Sequence, residues 1–147
     1  MRSIKSSEKK RILKQLNEQF GIKNLPYLLI RFGKDKIRAY SGNLCREEIQ
    51  HLNKTIRIEN LGLYFLNMQK DEARPTLDGV QLLRNQITKN IIELTDLQAK
   101  QWLQGMDLDI QTTRGYKILK HAQHLIGCGK STTERITNFV PKERRIK

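Results

Sequence analysis

The chain has 147 residues, and its 28 lysine and arginine residues against 15 aspartate and glutamate residues give a formal net charge of +13. This length accommodates one ordinary domain or two small ones, and it excludes a complete doubly wound enzyme domain or a (β/α)8 barrel. So large a positive charge makes a polyanion the expected partner, and nucleic acid is the commonest polyanion in the cytosol. No apolar stretch approaches the ~18 residues that span a bilayer, and the N-terminus lacks a signal-peptide core, so we expect a cytoplasmic protein without a membrane partner.

The positive charge is concentrated in two blocks. Residues 1–70 contain 15 basic and 6 acidic residues, and residues 111–147 contain 9 basic and 2 acidic residues. The segment between them, residues 71–110, contains 4 basic and 7 acidic residues. If the two blocks face the same way, they form one broad basic surface, with the acidic middle segment turned elsewhere.

The first half of the chain alternates between helix and strand patterns. A helix is predicted after Ser6 and Ser7, because Ile12, Leu13, Leu16 and Phe20 follow helical spacing, and Gly21 stands where a helix stop is expected. Two short apolar runs, 27–32 and 37–40, flank a Gly-Lys-Asp-Lys turn and predict a hairpin. Next we expect a helix capped by Asn43 and strands over residues 56–58 and 63–68.

Polar residues before Pro75 mark the predicted boundary between two domains. We predict a small α/β domain over residues 1–72 and a second domain over residues 73–147. The second domain is expected to begin with a short helix over residues 76–83 and a strand over residues 87–94.

Thr95 and Gln98 have the spacing of a capping box, which predicts a helix that carries Leu97, Trp102 and Leu103 on one apolar side and ends at Gly105. After Gly105 the spacing of apolar residues changes from that of helices to that of strands. Short strands are expected over residues 116–120, 124–126 and 135–140, and this spacing predicts a small barrel.

The segment Gly127-Cys-Gly-Lys-Ser-Thr132 ends like a Walker A phosphate-binding loop. The full motif needs a glycine five residues before Gly129, where this chain has His124, and it must open a helix. The residues after Thr132 read as a strand, so we favour an uncovered glycine-rich connection whose amides and Lys130 approach a nucleic-acid backbone.

Four short segments, read in chain order, resemble a known family. They are Trp102-Leu-x-Gly105 followed by Gly115-Tyr116, then Gly127-x-Gly129-Lys130, then Ile136-Thr-Asn-Phe-Val-Pro-Lys-Glu-Arg-Arg-Ile146. The order resembles the PUA-like RNA-binding domain, named after pseudouridine synthase and archaeosine transglycosylase. More narrowly, it is similar to the version found in the NOL/NOP/Sun group of RNA cytosine methyltransferases and in archaeal ribosome-biogenesis proteins of that group. The resemblance is best over residues 75–147.

The resemblance implies an α+β protein in which a small N-terminal α/β domain precedes a PUA-like β-barrel with short flanking helices. It implies binding to structured ribosomal or transfer RNA. The residues that match the family are Gly127, Gly129, Lys130, Asn138, Pro141, Lys142 and Arg145. Basic residues of the tail and of the first hairpin complete the expected RNA-binding set, namely Lys120, Arg135, Arg144, Arg31 and Arg38. The family's methyltransferase domain is missing from this sequence, so we expect no catalytic residue and no cofactor.

Histidine and cysteine residues near the tail do not predict a metal or catalytic site. In an extended segment, His121 and His124 point to opposite faces and cannot easily share an ion. Cys128 has no evident activating partner. The acidic middle segment is interpreted as a solvated surface rather than a metal-dependent nuclease centre. Trp102 is expected in the core, and an aromatic content of 6% favours recognition of folded RNA over long single strands.

We therefore predict a non-catalytic RNA-binding protein of ribosome biogenesis or RNA modification, which works with an RNA-modifying enzyme or with ribosomal proteins. Two alternatives stay open. The chain is either an RNA-modifying enzyme or accessory subunit of an RNA methyltransferase, or a basic protein-interaction module of the ribosome.

Overall fold

Two β-sheets, one before residue 76 and one after residue 90, organise the chain in a computed structural model that describes residues 1–147. The first part contains β1 (Arg2–Ser3), α1 (Ser6–Phe20), β2 (Leu28–Phe32), β3 (Lys36–Tyr40), α2 (Arg46–Thr55), β4 (Leu63–Gln69) and β5 (Glu72–Pro75). The second contains α3 (Leu77–Leu83), β6 (Ile91–Glu93), α4 (Asp96–Leu103), β7 (Gly115–His121), β8 (His124–Ser131), β9 (Ile136–Thr137) and a 3-10 helix (Lys142–Arg144). The predicted α+β class is confirmed.

Each sheet follows the chain order of its strands. The first sheet is antiparallel throughout, in the order β1-β2-β3-β4-β5. The second has the order β6-β7-β8-β9, in which β6 runs parallel to β7 and the other pairs are antiparallel. None of the helices has the length and apolar character needed to cross a bilayer.

Helix α1 forms as predicted because its apolar residues recur every four positions. Ile12, Leu16 and Phe20 are buried on one side. Gly21 ends the helix with φ 81°, a left-handed conformation that glycine adopts without a steric penalty, and its amide donates to the carbonyl of Asn17. The capping box of Thr95 and Gln98 also forms and starts α4.

Two apolar cores lie beside the sheets. The larger joins α1 and the inner face of the first sheet to α3, and it also contains Ile118 and Cys128 of the second sheet. The smaller core surrounds Trp102 and draws only on residues between 94 and 140. The predicted border at residues 72 and 73 falls at the start of β5, which pairs with β4. The division into two domains stays a prediction.

Several predicted elements are wrong in extent or existence. Residues 56–58 form no strand, because α2 continues to Thr55 and Ile56 is 57% exposed without a strand partner. Helix α2 begins after Cys45, not Asn43. The strand expected over residues 87–94 shrinks to Ile91–Glu93. Leu97 is 65% exposed and therefore lies outside the predicted apolar side of α4.

The tail strands also differ from their predicted lengths. Strand β8 extends from His124 to Ser131 and so includes the glycines, whereas β9 covers only Ile136–Thr137. His121 and His124 are paired directly across the turn that joins β7 to β8. Side chains of directly paired residues share a face, so the prediction that these histidines point to opposite faces is wrong. The Nε2 atom of His121 lies 2.7 Å from a carboxylate oxygen of Asp96.

Candidate nucleic-acid interface

The face of the first sheet that turns away from α1 alternates basic and aromatic side chains. Cross-strand pairing places Phe32 opposite Lys36, Lys36 opposite Asn67, and Asn67 opposite Arg74, so these four side chains share one face. Arg38 pairs with Tyr64 in the neighbouring rung. We call this set the outer face; it consists of Phe32, Lys36, Arg38, Tyr64, Asn67 and Arg74.

Each cation of the outer face lies over an aromatic ring. The ammonium nitrogen of Lys36 is 5.4 Å from the ring centre of Tyr64, and the guanidinium carbon of Arg38 is 5.6 Å from that of Phe32. The guanidinium carbon of Arg74 is 4.2 Å from the ring centre of Phe139, which belongs to the C-terminal segment. These separations are within the range of cation–π attraction, which fixes both partners of each pair at the surface.

Two cavities open along the outer face and meet at Lys36. The first, of about 730 Å³, lies between the β2–β3 turn and the end of α2, and Arg38 and Arg57 line it. The second, of about 330 Å³, is lined by Lys36, Arg74 and Arg144, by the aromatic rings of Tyr64 and Phe139, and also by the carboxylates of Asp78 and Glu143. Residues from both basic blocks of the sequence therefore line one cavity.

The two hairpin arginines of the predicted RNA-binding set, Arg31 and Arg38, lie on opposite faces of the first sheet. Arg38 belongs to the outer face, where its guanidinium donates to the carbonyl of Gly62 at 2.7 Å. Arg31 pairs with Ile37, whose side chain lies in the larger core, so Arg31 is on the opposite face. There its guanidinium forms an ion pair of 2.7 Å with Glu8 of α1.

The prediction of an uncovered glycine loop is wrong. Gly127 and Gly129 are buried within β8, between β7 and β9. A Cβ atom on Gly129 would lie 2.5 Å from Ile136 Cγ2 and 2.7 Å from the ring of Trp102. These buried glycines therefore leave room for Trp102 and do not form an exposed loop.

Asn138 has a structural role that the sequence did not predict. Its side-chain amide donates to the carbonyls of Trp102 and Met106, and its side-chain oxygen accepts from the amide of Val140. These bonds fasten the end of α4 to the C-terminal segment, so little of the side chain is left for RNA. Arg145 is partly engaged as well, because its Nε donates to the carbonyl of Val140 at 3.0 Å.

The remaining predicted basic residues are spread around the second sheet and the C-terminal segment, and most of them have acidic partners. Lys120 is 3.5 Å from Glu93, Arg135 is 3.0 Å from Asp109, and Arg144 is 2.9 Å from Asp78. Lys130 is 3.1 Å from Glu72 and lies over the ring of Tyr116 at 5.3 Å. Lys142 is exposed at the start of the 3-10 helix. Of this group, only Arg144 lines the same cavity as Lys36 and Arg74 of the outer face.

Arg74, Phe32 and Phe139 are members of the site that sequence reasoning missed. The predicted hairpin could have indicated Phe32. With a three-residue turn, Phe32 lies directly opposite Lys36, and both share a face with Arg38. No local pattern joins Arg74 to Phe139, because 64 intervening residues separate them along the chain.

Neither cysteine has the environment of a nucleophile. Burial raises the pKa of the Cys128 thiol to about 12, so this group stays protonated at neutral pH. Cys45 is exposed, and its hydrogen bond with the Glu48 carboxylate raises the pKa of its thiol.

Comparison with known proteins identifies the C-terminal part of this fold. Residues 89–146 match the family model described as the methyltransferase RsmF PUA domain. This part of the chain is therefore similar to the PUA domain of an RNA methyltransferase, which agrees with the resemblance to PUA-like domains of the NOL/NOP/Sun group that the sequence indicated.

The chain is also similar to longer curated proteins. It is 30% identical over 132 residues to the ribosomal RNA small subunit methyltransferase F of Psychromonas ingrahamii, a match that covers 85% of this chain and 26% of the relative. The protein of the same name from Vibrio campbellii is 30% identical over 95 residues, which cover 60% of this chain and 20% of the relative. The chain thus spans about a quarter of the length of the relatives it matches.

Proposed function

We propose that this chain is a non-catalytic RNA-binding module that acts on structured ribosomal RNA during RNA modification or ribosome biogenesis in the cytoplasm. The observation that carries the proposal is the set of cation–aromatic pairs along the outer face. Bases that leave a stem or loop stack on aromatic rings, while neighbouring cations neutralise their phosphates. A face with both properties suits folded RNA with accessible unpaired bases.

The match to the RsmF PUA domain supports an assignment to RNA modification. The relatives are named for methylation of small-subunit ribosomal RNA, and this chain corresponds to about a quarter of one of them. We propose that the chain supplies RNA contacts to such a reaction as an accessory module. The burial of Cys128 and its protonated thiol argue only against this residue as a nucleophile.

Binding to a labelled RNA hairpin with an unpaired loop, measured by fluorescence anisotropy over a series of salt concentrations, tests the RNA function. We expect the affinity to fall with a log–log slope of roughly −3 to −5, as for about four to six neutralised phosphates. A flat salt response would overturn the proposal.

Two charge-reversal variants test the interface. Lys36→Glu combined with Arg144→Glu alters exposed residues that line the same cavity, and we expect at least about a tenfold loss of RNA affinity. Lys10→Glu combined with Lys100→Glu changes the net charge equally at exposed positions on α1 and α4 and serves as the control. Equal losses from both variants would contradict the assignment to the outer face.

Incubation of the pure chain with labelled S-adenosylmethionine and ribosomal RNA tests the absence of catalysis. We expect no methyl incorporation by this chain alone. Incorporation above the level of an RNA-only control would favour the alternative that the chain is itself an RNA-modifying enzyme.

A further inference from the structure

Lys117 is a buried lysine that has no acidic partner. The residue is only 4% exposed, and its ammonium group donates to Asn90 Oδ1 at 2.9 Å and to Thr113 Oγ1 at 2.6 Å. None of the ion pairs in the chain includes it. Burial of an ammonium group without an opposite charge is unfavourable, and accordingly it lowers the pKa of Lys117.

The surroundings of Lys117 hold it in one position. Asn90 adopts a left-handed backbone conformation with φ 56°, and its side-chain amide donates to the carbonyl of Gln19, which orients its oxygen toward Lys117. An ammonium group has three N–H donors, and the two hydrogen bonds use two of them. The third has no acceptor within the chain.

A cavity of about 190 Å³ is lined by Lys117 and by Asn90, the residue that accepts a hydrogen bond from its ammonium group, and we call this cavity the Lys117 pocket. Its charged lining consists of Lys117, Arg114, Lys130 and Glu72, which amounts to three positive charges and one negative charge. The Glu72 carboxylate already accepts hydrogen bonds from Lys130 at 3.1 Å and from the Tyr116 hydroxyl at 3.3 Å. Arg114 is exposed and has no hydrogen-bond partner in the chain, so it is available to a ligand.

Burial, followed by the nearby Glu72 carboxylate, raises the pKa of Tyr116 to about 12. The hydroxyl therefore stays a neutral donor, and Tyr116 adds no negative charge to the pocket. A compact anion at this place would complete the hydrogen bonding of Lys117 and balance the excess positive charge.

We propose that the Lys117 pocket binds a phosphate group, with Lys117 and Arg114 as its principal donors. The cavity has room for a tetrahedral anion of this size, and charge-assisted hydrogen bonds from lysine and arginine are the usual way in which proteins hold phosphate. The bound phosphate could belong to the RNA backbone or be a free phosphate ion. Only the first of these two sources rests on the proposed function.

Thermal melting of the full chain in sodium phosphate, against sodium chloride at matched ionic strength, tests the pocket directly. We expect phosphate to raise the melting temperature of the unmodified protein, and we expect Lys117→Met to weaken phosphate binding at least about tenfold. Arg114→Gln changes an exposed residue and keeps the test valid if Lys117→Met fails to fold. Lys100→Met, at an exposed position on α4, is the matched control.

RNA binding of the same variants distinguishes the source of the phosphate. If RNA supplies it, Lys117→Met lowers the steepness of the log–log salt dependence by about 1, and Lys100→Met leaves it unchanged. Loss of phosphate binding with an unchanged RNA salt dependence supports the pocket with free phosphate as its ligand. The proposal is overturned if neither readout distinguishes the two pocket variants from Lys100→Met. A failure of the unmodified chain to bind RNA would overturn the proposed function, and the phosphate measurement would still decide the pocket.

Discussion

The indole nitrogen of Trp102 donates a hydrogen bond of 2.9 Å to the carbonyl oxygen of Ile126, at the point where two glycines of β8 let the ring approach the strand. This contact joins α4 to the second sheet and lies at the centre of the smaller core. The glycines that suggest a phosphate-binding loop in the sequence are thus required for packing.

Gly129→Ala is expected to destabilise the protein by about 2–3 kcal/mol, because the added methyl group overpacks a closed site. The new carbon would lie 2.5 Å from Ile136 Cγ2 and 2.8 Å from the backbone oxygen of Thr137. Urea denaturation measures the effect. The control is Gly33→Ala, where φ is 64° and no atom lies within 4 Å, so only a backbone penalty of about 1 kcal/mol applies. Equal stability of both variants would contradict the packing role.

Phe139→Leu is expected to weaken binding of an RNA hairpin with an unpaired loop by about 1–3 kcal/mol, the contribution of one stacked base. Phe139 is 36% exposed beside Arg74, so its ring is accessible to a base. The paired duplex of the same stem should lose much less affinity. Leu97→Ala, at another exposed apolar residue, is the control. A loss shared equally by hairpin and duplex would argue against stacking on this ring.

The two cysteines should differ in reactivity toward a thiol reagent such as 5,5′-dithiobis(2-nitrobenzoic acid). Cys45 is exposed and should react in the native protein, whereas Cys128 is 4% exposed and should react only after unfolding. Because the hydrogen bond with Glu48 raises the pKa of Cys45, Glu48→Gln should increase the thiolate fraction and the reaction rate near neutral pH. Reaction of two thiols per folded protein molecule would refute the burial of Cys128.

Glu8 should make the stability of the protein depend on pH in the acid range. Hydrogen bonds from Arg2 and then Arg31 hold the pKa of Glu8 below its ordinary value of 4.5. Above pH 4.5 the ionised carboxylate contributes fully to the free energy of unfolding. This contribution is lost as the pH falls through the lower pKa of Glu8 in the folded state. Glu8→Gln should cost ~1 kcal/mol at pH 7 and reduce the acid dependence in urea titrations between pH 7 and pH 2. An acid dependence identical to that of the unmodified protein would contradict this ion pair, and Glu18→Gln, elsewhere on α1, is the control.

Local sequence patterns determined several elements correctly. The apolar spacing of α1, its glycine stop and the capping box of α4 depend only on neighbours within a few residues, and all three formed as predicted. The resemblance to PUA-like domains also came from the sequence, because it depends on the order of a few motif residues along the chain and not on their contacts in the fold.

The tertiary structure alone decided which residues form the candidate site. Pairing of β3, β4 and β5 brings Lys36 and Arg74 to one face, and the return of the C-terminal segment adds Phe139. Gly127 and Gly129 are buried because they pack against Trp102. The side-chain amide of Asn138 is used in a hydrogen bond to the carbonyl of Trp102. Such outcomes depend on residues far apart in the chain, whose mutual distances are fixed only when strands pair and the core closes.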